Sequence, residues 1–455
     1  MEDATSRQAP KLTWIAVGLG TALCALFATV GADARWLAAL GHEIVERGGI
    51  PAGIPFAAAP SRGWDNVPVL GELVFHALDA LGGDRGLITA QLVAAAAALA
   101  LVARDMRAAG AADAPRALVL LALPFAAAPA FIVVRSQLFS LALFPLLLLL
   151  LRSEARTPSR RIWLLVPLVA LWTNLHGGVL VGLAVAGAYL VLHRLRREPA
   201  VAIGVLAVSA SALFATPALL HTSDYYLGVL HSEAAARGEG MWAPLSLHSP
   251  FDVAFLVLGI PLLVAALRSR LALWELAALA ALAASALDAS RNEVWFVLFA
   301  AGPAALALTH LRLARLTASP RTALACACVP AAILVLGVAQ APAQSGAGAR
   351  LREEAAAAAR GTPILADAID AERLALDGKT IWISNPLDAF GRRQQRLYLD
   401  WLAGRPSGDR VLAQTHRVVL VAVGSPAQRR LARDRAFYEV ARDRESVLYL
   451  RASSR

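Results

Sequence analysis

Three cysteines in 455 residues leave no disulfide framework. Cys24 sits inside an apolar run. Cys326 and Cys328 stand two residues apart, so on a helix they point to different faces. Neither a disulfide nor a cysteine-based metal site is expected. Charge is scarce as well. Asp, Glu, Lys and Arg make up 17% of the chain, against 58% hydrophobic residues, and the mean hydropathy is +0.58. That balance excludes an ordinary soluble protein. Ionisable residues are rare within the apolar runs. Glu275 (in LALWELAALA) is the main exception, which argues against an ion-coupled transporter. The carboxyl-terminal tail has neither a glycine-rich phosphate loop nor a nucleophile elbow.

What is present is a series of apolar runs. Ala117–Val134 and Ser136–Leu151 carry no charge at all. About eleven spans are predicted, at 12–30, 86–103, 117–134, 136–151, 162–173, 178–193, 200–217, 251–267, 271–288, 294–309 and 322–340. Each should be helical, because lipid offers the backbone no other partner. Val67–Leu81 is apolar but holds Glu72, His76 and Asp79. It reads as a helix lying at the membrane face or leading into the second span. The first run is longer than a signal-peptide core, so it reads as a retained helix despite the small residues around Ala32 and Ala34.

Formal charge is +10. A nucleic-acid partner is nevertheless excluded, because the arginines gather in short loops between spans. One set of loops holds Arg7 and Lys11; Arg104, Arg107 and Arg116; Arg152, Arg156, Arg160 and Arg161; Arg194, Arg196 and Arg197; Arg268 and Arg270; and Arg312, Arg315 and Arg321. The alternate set holds fewer arginines, outnumbered by Asp and Glu. The asymmetry predicts a cytoplasmic amino terminus and an extracytoplasmic tail. Two domains follow: a transmembrane part, 1–340, with an outer loop at 31–85, and a soluble part, 341–455. In the latter, strands are predicted at 363–366, 380–384, 417–423 and 446–450, and helices at 353–360, 392–402 and 426–436. The alternation suggests a small α/β domain. The arginines of 426–436 read as a solvated face.

The candidate chemistry lies on the predicted outer side. Asp33-Ala-Arg35-Trp36 places a carboxylate, a cation and an indole just after the first span. A carboxylate there can serve as a general base on an acceptor hydroxyl or amine. Asp65, between Trp64 and Asn66, is its proposed helper, and Glu72 follows; His42 lies between them in the same loop. Arg135 and Gln137 stand between two apolar runs, where the arginine either snorkels or holds a phosphate. Arg291 is a similar case. Trp172-Thr-Asn174-Leu-His176-Gly177-Gly178 breaks two apolar runs, as a tight turn or as the lining of a wet cavity. The 216–250 loop adds Asp224, Tyr225, Tyr226, His231, Glu239 and Trp242. Features confined to one side are what a single outward cavity requires.

At these residues the chain resembles bacterial multi-pass membrane proteins related to the GT-C class of glycosyltransferases. That class includes protein O-mannosyltransferase-like and aminoarabinose transferase-like enzymes. The resemblance rests on Asp33 to Trp36, Gly41-His-Glu-Ile44, Gly49-Ile-Pro51, Trp64, Asn66 and Glu72, then Arg135 and Gln137. Its most specific part is Trp172 to Gly177. Three positions depart from the pattern: Leu37 replaces a Trp, Thr216-Pro217 stands for Asn-Pro, and Asn385-Pro-Leu-Asp388 stands for Asp-x-Arg.

The resemblance implies a bacterial inner-membrane enzyme that moves a sugar from a polyprenyl-phosphate carrier to an extracytoplasmic lipid, glycan or protein, with inversion. It implies Asp33 as base, with Asp65 assisting directly or through a divalent metal such as Mg or Mn. Arg135 and Arg291 would hold the phosphate, His176 would line the cavity, and the remaining outer-loop residues would contact substrate. The same layout also allows a non-catalytic role, binding or flipping a lipid-linked glycan.

Overall fold

The computed structural model describes residues 12–61, 63–310, 335, 337–339, 348–413 and 417–452. The expected span at 322–340, with both late cysteines, falls almost wholly outside the described residues. So do Arg7, Lys11, Arg62, Arg312, Arg315 and Arg321. Helices occupy the other ten expected spans. Among the described residues, three helices are long and apolar enough to cross a membrane: Val69–Ala108, Gln137–Arg156 and Pro250–Arg268. Others are shorter than expected. Leu12–Phe27 has 16 residues, and Pro199–Ala212 has 14. The run at 117–134 is cut into Asp113–Ala126 and Ala128–Ile132, with Pro124 and Pro129 near the break. Proline lacks the amide that an uninterrupted helix needs. From Val69 on, the Val67–Leu81 stretch belongs to the 40-residue Val69–Ala108 helix, which kinks at Gly83 (φ 53°, ψ −141°).

The chain forms two compact units. Met1–Thr29, Ile88–Ala215 and Met241–Gln340 make the helical unit. Its most deeply buried large side chains include Trp172, Trp274, Tyr189 and Phe144. Two arginines that the sequence places in loops are instead buried here. Arg152 bonds Asp105, Glu275 (3.3 Å) and the Phe299 carbonyl (2.8 Å). Arg194 pairs with Glu154 (3.4 Å) and Glu198 (3.0 Å). Both arginines sit near helix ends; the acids that hold them inside come from other helices, apart from Glu198, which is one turn from Arg194. Glu275 lies in the first turn of Leu273–Asp288, not at mid-span, and also accepts the Ala272 amide (3.1 Å).

The second, mixed unit joins Val30–Leu87, Thr216–Gly240 and Ala341–Arg455. Its four-stranded sheet runs in the order Leu365–Ala366, Val418–Ala422, Ser446–Arg451, Phe437–Arg442. The first pair is parallel and the other two antiparallel. The expected strand at 380–384 makes only isolated bridges, through Ile381 to Ile364 and to Ala57. The Ala57 bridge stitches the outer loop onto the tail, with Ala58 and Ala59 amides donating to the Ile381 and Trp382 carbonyls (2.8 and 2.9 Å). The helix expected at 426–436 ends at Leu431 and gives way to the Phe437–Arg442 strand. The helix Ala368–Leu376 was not foreseen. Asp367 caps it, its side chain accepting the amides of Ile369 and Asp370. It packs on Ala34–Arg47.

Ala34–Arg47 also crosses the amino-terminal arm of the kinked helix at Gly41. A Cβ there would collide with the Glu72 carbonyl and lie 2.7 Å from the His76 Cβ. This close approach explains the glycine of Gly41-His-Glu-Ile44. Gly41→Ala gains helix propensity, worth about 1 kcal/mol. Overpacking against backbone costs about 1–3 kcal/mol, and here the carbonyl cannot rotate away. We expect a net loss of stability, read as a lower denaturation midpoint in detergent; a raised midpoint would show that the two helices can part freely.

Candidate functional site

In the mixed unit, Asp33 stands between the first helix and Ala34–Arg47. Its backbone has φ 93° and ψ −38°, a region that side-chain-bearing residues rarely enter. Such strain costs about 1–3 kcal/mol and persists where the surroundings over-determine it. The surroundings here are Glu372, whose two carboxyl oxygens take the Asp33 amide at 3.1 and 2.9 Å. Asn385 Nδ2 donates to the same Glu372 (2.9 Å). Burial, reinforced by the Asp33 charge, drives Glu372 up to about 8. Nearby, Asp388 accepts the Trp64 indole N–H (2.9 Å), and burial raises it to about 6. Glu372, Asn385 and Asp388 thus meet Asp33 and Trp64 in one carboxylate-rich cluster.

The neighbouring candidates differ in their surroundings. Arg35 is buried and held bidentately by Asp84 (3.0 and 2.8 Å). Trp36 is buried, its indole N–H without a hydrogen-bond partner among the described residues. Asn66 donates to Glu72 (2.6 Å), and both are buried. His42 is exposed, 3.6 Å from Glu46, with its ring 5.3 Å from that of His76. Asp65 is grouped with His221 (3.8 Å) and Asp224. The three offer ligand atoms within 4.8 Å of one another. Two carboxylates and an imidazole fit a divalent ion of the Mn or Zn kind better than Mg, which favours an all-oxygen shell.

The helical unit gathers the other candidates. Gln137 donates to the Arg291 carbonyl (3.3 Å), and the Arg291 guanidinium lies 4.2 Å over the Trp242 ring. The Trp172–Gly178 turn is held by a chain of bonds. Trp172 Nε1 donates to Ser140 Oγ (2.6 Å), Ser140 bonds His176 Nδ1 (2.6 Å), and the Gly178 amide donates to the same Nδ1 (3.1 Å). A Cβ at Gly178 would lie 2.6 Å from Ser140 Oγ, so the glycine is required. An amide can only donate, so Nδ1 carries no proton and Nε2 is the ring's donor. Burial and the Arg291 charge press His176 down to about 3, which keeps the imidazole neutral. Asn174 ties the end of its helix to the Ala170 and Ala215 carbonyls (2.8 and 2.7 Å). The tight-turn reading therefore accounts for both side chains. Arg135 differs from the rest. It has no acidic partner among the described residues, and its buried Nε lacks a hydrogen-bond acceptor.

Sequence reasoning missed Glu372, Asp84, His221 and Ser140 as partners. Asn385 and Asp388 stood out only as a departure from a pattern. Nothing in the local sequence marks Glu372, which a helix brings from the far end of the chain.

The fold is that of the GT-C-like glycosyltransferases, a polytopic helical membrane-protein architecture. The chain is similar over 97% of its length, and 98% of the other, to ArnT from Cupriavidus metallidurans bound to undecaprenyl phosphate (TM-score 0.54, 15% identity). Apo ArnT matches similarly, with a TM-score of 0.51, 16% identity and coverage of 96% and 97%. The arabinofuranosyltransferase AftD from Mycobacteria matches 98% of this chain but only 42% of its own (TM-score 0.51, 15% identity). No family model matches the sequence, and no curated protein matches it.

Proposed function

We propose that the protein is a membrane glycosyltransferase that takes a sugar from a polyprenyl-phosphate carrier. The observation that carries this reading is Arg135: a partly buried guanidinium with an unmet donor and no acidic partner among the described residues suits a lipid phosphate. Arg291 and Gln137 stand with it. The likeness to a fold seen with undecaprenyl phosphate supports the choice of carrier. In the reaction, an acceptor hydroxyl or amine attacks the anomeric carbon, and the bond from that carbon to the phosphate oxygen breaks. The electron pair stays on the phosphate, which Arg135 neutralises. The acceptor proton passes to Asp33, and the sugar inverts. Asp65, with His221 and Asp224, would hold a divalent ion that adds positive charge. The protein sits in a bacterial cytoplasmic membrane, with the amino terminus inside and the tail outside.

The test uses the full chain in nanodiscs with undecaprenyl-phosphate sugars. Release of undecaprenyl phosphate upon acceptor addition is expected, and chelation should slow it. Arg135→Ala should weaken binding of undecaprenyl phosphate about tenfold to a hundredfold, the worth of charged hydrogen bonds. Unchanged binding in that variant would remove Arg135 as the phosphate site. Binding without turnover for every sugar tried would mean a non-catalytic carrier protein.

A further inference from the structure

The backbone of Asp33 is held by a residue 339 positions away. The helix Ala368–Leu376 carries Glu372, whose carboxyl group accepts the Asp33 amide through both oxygens and is itself fixed by Asn385. Glu372 is 1% exposed. A φ of 93° at an aspartate needs such a clamp, since the chain would otherwise relax to an ordinary conformation and swing the side chain away. We propose that Glu372 is a positioning residue for Asp33: the carboxyl-terminal domain completes the site by fixing the turn that aims the Asp33 carboxylate. The inference rests on Asp33 acting as the base.

Several charged or titratable groups bear on Glu372. Asp33 and Arg35 come from the cap and start of Ala34–Arg47, and Asp388, from the segment after Asn385, bears on Asp33. Tyr398 comes from Arg392–Leu402, and Asp370 and Arg373 share the helix of Glu372. Burial and Asp33 outweigh Arg35 and the hydrogen bonds, so Glu372 keeps its proton up to about pH 8. Once ionised, it grips the Asp33 amide more strongly. That firmer hold favours the base, so kcat should climb through pH 8. Stability runs the other way. Below the ordinary glutamate value both folded and unfolded states hold the proton, and this contribution is full. As pH rises towards 8 only the unfolded chain releases it, so stability falls across that window.

The experiment compares Glu372→Ala and Glu372→Gln in the full chain, reading kcat, donor KM, pH profile and exchange protection of the Asp33 amide. A misplacement of this kind costs roughly tenfold to a hundredfold in rate. Glu372→Ala should lose that much kcat with an unchanged KM and an unprotected Asp33 amide. Glu372→Gln, which keeps an acceptor oxygen and cannot ionise, should retain most of the neutral-pH kcat but lose the rise near pH 8. If the alanine variant fails to fold, the glutamine variant decides by its pH profile. Wild-type kcat and Asp33 protection in Glu372→Ala would overturn the inference, as would an alkaline rise that survives in Glu372→Gln. Failure of the Asp33 reading shows separately, as normal turnover in Asp33→Asn.

Discussion

Asp33→Asn should transfer sugar about a hundred to ten thousand times more slowly than the parent protein, the usual worth of a general base. The substitution is chosen for its backbone as much as for its charge. Asn is among the few residues that tolerate positive φ, so the turn at Asp33 (φ 93°) survives. Glu372 takes the backbone amide, not the side chain, so that clamp also survives. Removing the Asp33 charge relieves Glu372 and Asp388, both of which it pushes upward. The variant should therefore melt at or above the parent temperature and bind undecaprenyl phosphate normally while losing turnover. Turnover within about threefold of the parent would exclude Asp33 as base, because no useful general base is worth so little.

Replacing Arg152 by leucine should cost about 3–5 kcal/mol of stability. Arg152 is 5% exposed and binds Asp105 and Glu275 from two other helices, as well as the Phe299 carbonyl. Its guanidinium also lies 4.9 Å from the centre of the Phe299 ring. Leucine fills part of the space but strands two carboxylates and a carbonyl away from water. Gly302 shows how tightly the node is packed, since a Cβ there would lie 2.6 Å from Arg152 Nη1. The loss would appear as a lower denaturation midpoint in detergent with donor affinity retained. A loss under about 1 kcal/mol would mean that water or lipid headgroups reach the carboxylates. Restoring stability by adding Asp105→Asn and Glu275→Gln would show that the stranded charges carry the cost.

How much was legible follows from what each signal measures. Apolar runs placed ten of the helices, because a backbone in lipid has only its own carbonyls to bond and an apolar stretch of that length has few alternatives. The Trp172–Gly178 turn was legible for a related reason: its backbone bonds join residues close in sequence, while its side chains reach Ser140, Leu213 and Ala215. Pattern also drew attention to Asp33, Trp64, Asp65, Arg135 and Arg291. It could not choose their partners. Arg35 looks like a substrate cation in the sequence, yet Asp84 holds it. Arg152 looks like a loop charge, yet it is the centre of a buried node. Glu372 looks like one acid in a polar helix, yet it takes the Asp33 amide. Hydropathy and spacing report which surface of a segment avoids water; which distant donor meets a buried carboxylate depends on how segments hundreds of residues apart pack. That choice, made by the packing of Ala368–Leu376 on Ala34–Arg47, belongs to the tertiary structure alone.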